Sequence, residues 1–336
     1  MRIGVVFALF LTFVSSITGQ TAPAASPQTG ASAQEVTLET ATGKLYGTLL
    51  LPAGNRPFPV VLIVAGSGMT DRDGNTVGTR ARSDALKLLA EGLAANGIAS
   101  LRYDKRSVAK SAAARLPTNK FETQFDDAAQ WIGLLAKDPR FRAIGVIGHS
   151  EGALVAALAA QRGSVKALVY LAGPGRHFDE VMTEQFDRAA QNGQMPKSAA
   201  IALRAAVAEW RAGRTIKDRP KDIPQELGGL FNPRAQEYVI SIVAYDPIAE
   251  VTKLHDKGVQ IMVLQGTADL TGRTDEPTMV ATAVGAKPVL IEGMSHELKL
   301  APMDQAGNDK ANSDPRIPIA PELIRQLAPF LLNALK

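Results

Sequence analysis

The stretch Ala143-Ile144-Gly145-Val146-Ile147-Gly148-His149-Ser150-Glu151-Gly152 decides the fold. Residues 143–148 are apolar and strand-like, and residues 152–162, rich in Ala and Leu, are helix-like. A strand that enters a helix through G-x-S-x-G holds its serine at a sharp apex, and the glycines leave room for the neighbouring backbone. The bare pattern arises by chance in roughly one chain of this size in ten. Its weight therefore comes from the strand before it and the helix after it. Without chemistry, the same residues would be a serine capping a helix. With chemistry, Ser150 is a candidate nucleophile, which needs a base within reach and donors for a developing oxyanion. The helix N-terminus also favours nearby negative charge.

Working outward, residues 60–65 form an unbroken apolar run of the kind expected of a strand buried on both faces, and similar runs recur at 98–103, 167–172, 259–265 and 288–291. Helical patterns separate most of them. Residues 83–96 place Leu86, Leu89 and Leu93 on one face and stop at Gly97. Residues 124–136 align Phe125, Ala129, Ile132 and Leu135 before Asp138-Pro139. Strands alternating with helices predict an α/β fold with a mostly parallel sheet flanked by helices. Residues 35–40 and 45–51, around Thr42-Gly43-Lys44, read as an opening hairpin. Between about 173 and 250 the alternation fails, and Leu203, Val207 and Trp210 fall at helical spacing. This segment, about 175–250, is expected to be a helical lid over the carboxyl ends of the strands. The last helix starts near 320 with Pro321 in its first turn, and Pro329 should kink or divide it.

Four histidines are candidates for the base, because imidazole titrates near neutral pH. His149 adjoins Ser150 and is expected to face away from the active face and support the loop. His177 opens the insertion and His255 precedes a strand. His296 alone follows the last strand, so it takes the base role. Asp269, in Gln265-Gly266-Thr267-Ala268-Asp269 after the strand at 259–264, is the candidate acid that orients His296; Asp275 and Asp246 fit less well. The oxyanion would be met by the backbone N–H of Glu151 and by one from Ala65-Gly66-Ser67-Gly68-Met69, with Ser67 chosen and Gly68 as the alternative.

The remaining patterns exclude more than they add. No phosphate-binding G-x-x-x-x-G-K-[ST] or G-x-G-x-x-G occurs, and Asp71-Arg72-Asp73-Gly74-Asn75 places its glycine wrongly for a calcium loop, so it reads as a turn. A net charge of +4 over 336 residues, with Lys and Arg scattered, gives no nucleic-acid surface. Absence of cysteine excludes disulfides, thiolate metal sites and a cysteine nucleophile. At the N-terminus, Arg2 precedes an apolar run over 3–14, shorter than the ~20 residues that span a bilayer. The expectation is a signal peptide over 1–24, with Ala22-Pro23-Ala24 as a cleavage candidate, and no stable membrane span after processing. A flexible leader at 25–34 would follow, then one domain at 35–336, periplasmic or secreted.

With these residues placed, the chain from about Glu35 onward resembles the α/β-hydrolase superfamily, in particular bacterial exported esterase-like members related to the dienelactone hydrolase and serine aminopeptidase-like groups. The resemblance rests on Gly66-Ser67-Gly68 with Asp71-Arg72-Asp73-Gly74, on Arg102-Tyr103-Asp104-Lys105-Arg106, on Asp138-Pro139-Arg140-Phe141, on 148–152, and on Asp269 and His296. Members of the family commonly have glycines where this chain has Ser107 and Ala109, a departure that bears on the shape of that loop. Asp104 and Arg106 look like an ion pair beneath the site. The resemblance implies a Ser150-Asp269-His296 triad acting through an acyl-enzyme on a small-molecule ester or thioester, without a cofactor. Amide hydrolysis by a peptidase is the enzymatic alternative, and a non-catalytic binding protein on this scaffold the other.

Overall fold

The computed structural model describes residues 30–55 and 57–336. The expected signal segment, and the leader up to residue 29, lie outside the described residues. Eight strands form one sheet: β1 Ser32–Thr40, β2 Gly43–Leu51, β3 Phe58–Val64, β4 Ala99–Tyr103, β5 Phe141–His149, β6 Ala167–Leu171, β7 Gln260–Gly266 and β8 Val289–Ile291. Their spatial order is β1-β2-β4-β3-β5-β6-β7-β8. The β1–β2 hairpin joins β4 antiparallel, and all pairs from β4 to β8 are parallel. β1 begins three residues before the apolar pattern suggests. Ser32, Ala33 and Gln34 pair opposite Leu51, Leu50 and Leu49, so backbone bonding extends the strand where side-chain alternation gives no signal.

The apolar runs follow from burial on both faces. Along β3, Val60, Leu62 and Val64 join one core cluster, while Val61 and Ile63 join the other. The second cluster is closed by α1 Ala85–Ala94, through Leu86, Leu89 and Leu93, and by a C-terminal helix at 321–334 through Leu323, Leu327 and Leu331. The first cluster is closed by α2 Glu122–Ala136, with Trp131 and Ile132, and by α3 Glu151–Ala160. All ten residues of α3 are buried. A helix enclosed on every side must be apolar all round, which accounts for its Ala/Leu composition.

Between β6 and β7 lie α4 Phe178–Gln191, α5 Lys197–Arg211, α6 Pro233–Ile242 and α7 Pro247–Asp256. Leu203, Val207 and Trp210 of α5 face inward as their spacing predicts, and belong to the same core cluster as Trp131. α6 is fastened to the segment leading into α2. The backbone N–H of Asn119 donates to Glu237 Oε2 (2.6 Å), that of Phe121 to Ser241 Oγ (2.8 Å), and Arg234 reaches the carbonyls of Leu116 and Pro117. Asp246 caps α7 by accepting from the N–H of Ile248 at 2.9 Å.

After β7 come α8 Glu276–Ala283, α9 Gln305–Asn312 and α10 Pro321–Ala334. Pro329 does not divide α10. It lies on the exposed side, as does Arg325, whose carbonyl loses its intrahelical donor and can bond water instead. Buried Leu327 and Leu331 hold the helix on either side of it. Among the described residues no helix is long and apolar enough to cross a membrane.

Candidate active site

Ser150 stands between the last residue of β5 and the first of α3, at φ 57° and ψ −131°. This is a region that costs a non-glycine residue on the order of 1–3 kcal/mol. Its N–H donates to the carbonyl of Leu171 on β6 (2.9 Å), and its carbonyl accepts from Ala153 (2.9 Å), so the turn is held at both ends. The glycines are required by contact. A Cβ at Gly148 would overlap the carbonyl oxygen of Gly152 and the Cα of Ala153, and one at Gly152 would overlap the carbonyl oxygens of Ala65 and Val64. At Gly66 it would come within 3.0 Å of the Ser150 Cβ. The loop after β3 therefore passes directly against the serine.

That loop is closed by Thr70 Oγ1 donating to the Ser67 carbonyl at 2.7 Å. Neither the N–H of Ser67 nor that of Glu151 donates to a protein acceptor among the described residues. Downstream, Asp71 Oδ1 accepts from the N–H of Asp73 and of Asn75, both at 2.9 Å, which makes this segment a turn. The expected Asp104–Arg106 pair does not form. Asp104 binds Arg72 (2.6 Å) and Arg106 binds Asp127 (2.7 Å), because side chains leaving an extended segment diverge and each finds a partner on another element. Ser107 (φ 63°) and Ala109 (φ 42°) both adopt left-handed backbone, so the loop keeps a glycine-compatible course without the glycines.

The structure brings Asp269 and His296 together. Asp269 Oδ2 accepts from His296 Nδ1 at 2.8 Å, while Oδ1 accepts from the N–H groups of Thr271 (2.8 Å) and Gly272 (3.2 Å). Burial works to raise the Asp269 pKa, but the His296 ring and these donors outweigh it and hold the carboxyl below its ordinary value. Burial likewise opposes a charged imidazole at His296, and the Asp269 carboxylate overcomes it, so that pKa stands above the ordinary value. Nδ1 faces the carboxylate, which leaves Nε2 as the nitrogen open to exchange a proton. His177 lies 3.7 Å from Asp246 and His255 3.6 Å from Asp256, so neither joins this pair.

His149 supports a loop of the site, as its place in the sequence suggests, but it does so beside the His296 ring, and a further set of contacts had almost no sequence signal. The His149 Nε2 donates to the His296 carbonyl at 2.8 Å and its ring lies 4.9 Å from the His296 ring, tying the serine turn to the His296 loop. Burial, together with the nearby His296, lowers the His149 pKa to about 3, so its ring is neutral. The missed set is on α9. Asn308 Nδ2 donates to the Ala268 carbonyl (2.9 Å), Asn312 Nδ2 to Asn308 Oδ1 (3.0 Å), and Ser295 Oγ to Asn312 Oδ1 (2.6 Å). The loops carrying Asp269 and His296 are also joined directly, by Ala268 N–H to the Met294 carbonyl (3.0 Å) and Gly293 N–H to Thr267 Oγ1 (2.8 Å). The only hint in the sequence was an asparagine pair spaced i, i+4 on a polar helix.

A family described as serine aminopeptidase, S33, matches residues 78–212. Esterase EstD of Thermotoga maritima is 34% identical over 141 residues, which are 42% of this chain; the match spans about a third (33%) of that relative's length. Among solved structures, Est1E from Butyrivibrio proteoclasticus superposes with a TM-score of 0.53 at 16% identity, covering 89% of this chain and 98% of its own. An esterase of Pyrococcus furiosus gives 0.55 at 14% identity, covering 95% and 97%. The fold is the α/β-hydrolase fold, and the matched family and the named relative are both hydrolases.

Proposed function

We propose that this chain is an exported serine hydrolase that cleaves carboxylic esters, and thioesters by the same route, with Ser150 as nucleophile. The observation that carries the reading is the backbone of Ser150, held at φ 57° and ψ −131° on a strand-to-helix turn, with the 2.8 Å Asp269–His296 pair tied to that turn through His149. Strain at one serine is expected where a reacting atom must be presented. The name of the Thermotoga maritima relative supports the ester reading.

In this mechanism Ser150 Oγ attacks the acyl carbonyl while His296 Nε2 takes its proton, and Asp269 holds the ring by Nδ1. The N–H groups of Ser67 and Glu151 receive the oxyanion. The alcohol or thiol leaves with the proton from His296. Water then gives a proton to His296 as it attacks the acyl-enzyme, and His296 returns that proton to Ser150 Oγ as the acid is released. Every group this requires is on the chain. Amide hydrolysis is a second reading, favoured by the serine aminopeptidase match over residues 78–212, which reaches into the insertion.

The test is to treat the mature protein with a fluorophosphonate and to assay p-nitrophenyl esters, acyl thioesters and aminoacyl amides, with Ser150→Ala as control. Labelling and ester turnover should both vanish in the control; turnover that survives in it would overturn the assignment. Catalysis needs neutral Nε2, so turnover should rise with pH through a midpoint above the ~6.5 of free imidazole. Asp269→Asn should lower that midpoint and reduce kcat on the order of 10⁴-fold. N-terminal sequencing of protein recovered from the periplasm or medium tests export, and a mature start in the twenties is expected.

A further inference from the structure

Arg102-Tyr103-Asp104-Lys105-Arg106 contains one cation that the ion pairs around it do not use. Lys105 Nζ instead donates to the backbone carbonyl of Gly66 at 2.6 Å. That carbonyl and the N–H of Ser67 belong to the same planar, trans peptide group, so fixing the direction of one fixes the other on the opposite side. We propose that Lys105 is a positioning residue, whose ammonium locks and polarises the Gly66–Ser67 peptide so that the Ser67 N–H is presented as an oxyanion donor. The inference rests on the serine-hydrolase reading and adds the group that prepares its oxyanion site.

Three further observations support it. The N–H of Ser67 has no protein acceptor among the described residues, whereas the other face of its peptide is occupied by a charge. A cation on the carbonyl oxygen draws electron density from the peptide and makes its N–H a stronger donor, and the effect grows where water is excluded. The counter-charge is Glu151, which is buried and whose own N–H is the second candidate donor. Glu151 Oε1 accepts from Gln124 Nε2 at 3.2 Å, and Gln124 also bonds the Tyr238 hydroxyl of α6. Two groups of opposite charge thus accompany the two donors, Lys105 bonded to the Gly66–Ser67 peptide and Glu151 on the residue that carries the second N–H.

Burial lowers the Lys105 pKa to about 8, with Glu151 acting in the opposite direction. The charged groups around it are Glu151 from α3 and, on its own loop, Asp104 and Arg106, which are committed to Arg72 and Asp127; Gln124 of α2 and Tyr238 of α6 are neutral. Loss of the proton near pH 8 weakens the polarisation, so the wild-type rate relative to a variant without the ammonium should fall severalfold through that value. Taking the ratio removes the histidine limb, which rises with pH through about 9 in both proteins.

The experiment measures kcat and KM for p-nitrophenyl butyrate across the neutral-to-alkaline range, with fluorophosphonate labelling, on the wild type, Lys105→Met and Lys105→Arg. Lys105→Met should lose about 10–100-fold in kcat with KM within about 3-fold, because one donor is weakened and ground-state binding is not. The ratio of wild-type to Lys105→Met kcat should shrink severalfold as the pH passes 8. Lys105→Arg, which stays charged, should recover much of kcat, and the wild type should fall behind it through pH 8. A folded Lys105→Met protein with wild-type kcat, or a wild-type to Lys105→Met ratio that is constant through pH 8, overturns the inference. If Lys105→Met does not fold, a wild-type to Lys105→Arg ratio that is constant through pH 8 overturns it instead. A wild type that neither labels at Ser150 nor hydrolyses the ester overturns the parent reading.

Discussion

The two halves of the candidate site are held in place by different means. On the serine side, position is set by main chain: Gly66, Gly148 and Gly152 allow three backbone segments to touch, and Ser150 sits at their junction. On the histidine side, position is set by side chains, with His149, Asn308, Asn312 and Thr267 bonding the loops that carry Asp269 and His296. A junction of main chain has no partial states, since an added carbon must push a backbone aside. A net of side-chain bonds can lose one strand and keep the rest. The first half should therefore fail abruptly under substitution and the second by degrees.

Gly152→Ala is the sharpest way to break this contrast. Its Cβ would overlap two carbonyl oxygens of the β3 end, so we expect a stability loss of at least about 3 kcal/mol and no measurable ester turnover. A well-folded, active Gly152→Ala protein would show that the junction yields. Asn308→Ala should be milder. It leaves the buried carbonyl of Ala268 without its donor, costing about 1–3 kcal/mol in urea unfolding. It should also lower kcat about 10-fold through a loosened Asp269 loop, with Ser150 labelling retained. Wild-type kcat in that variant would show that the loops need no brace. The smallest effect belongs to Ala109→Gly, on the loop beside Lys105, where a left-handed residue without Cβ strain should gain about 1 kcal/mol and a degree or two in Tm. An unchanged or lower Tm would mean that the loop's course is not strained.

The same contrast sets what could be read from the chain. Strands β3 to β8 and the serine turn were legible because burial on both faces and close backbone approach each demand particular residue types at particular spacings. That Asp269 and His296 would meet was legible from their place after the last two strands. The asparagine brace was not, since a hydrogen bond between loops far apart in sequence leaves no periodic trace. Asp104 and Arg106 were paired by proximity along the chain, whereas their partners Arg72 and Asp127 come from other elements. Pro329 misled for a different reason: its missing N–H matters only where water cannot reach the freed carbonyl, and exposure is not written in the local sequence.

The fastening of α6 to the segment before α2 also governs how the molecule comes apart. Asn119 and Phe121 donate their main-chain N–H groups to α6, and Phe121 and Phe125 pack their rings against Tyr238 and Tyr245. Excising the insertion would leave two donors and two aromatic faces bare beside the helix that supports Ser150. Trimming the protein back to the strands and their flanking helices is therefore expected to destabilise what remains.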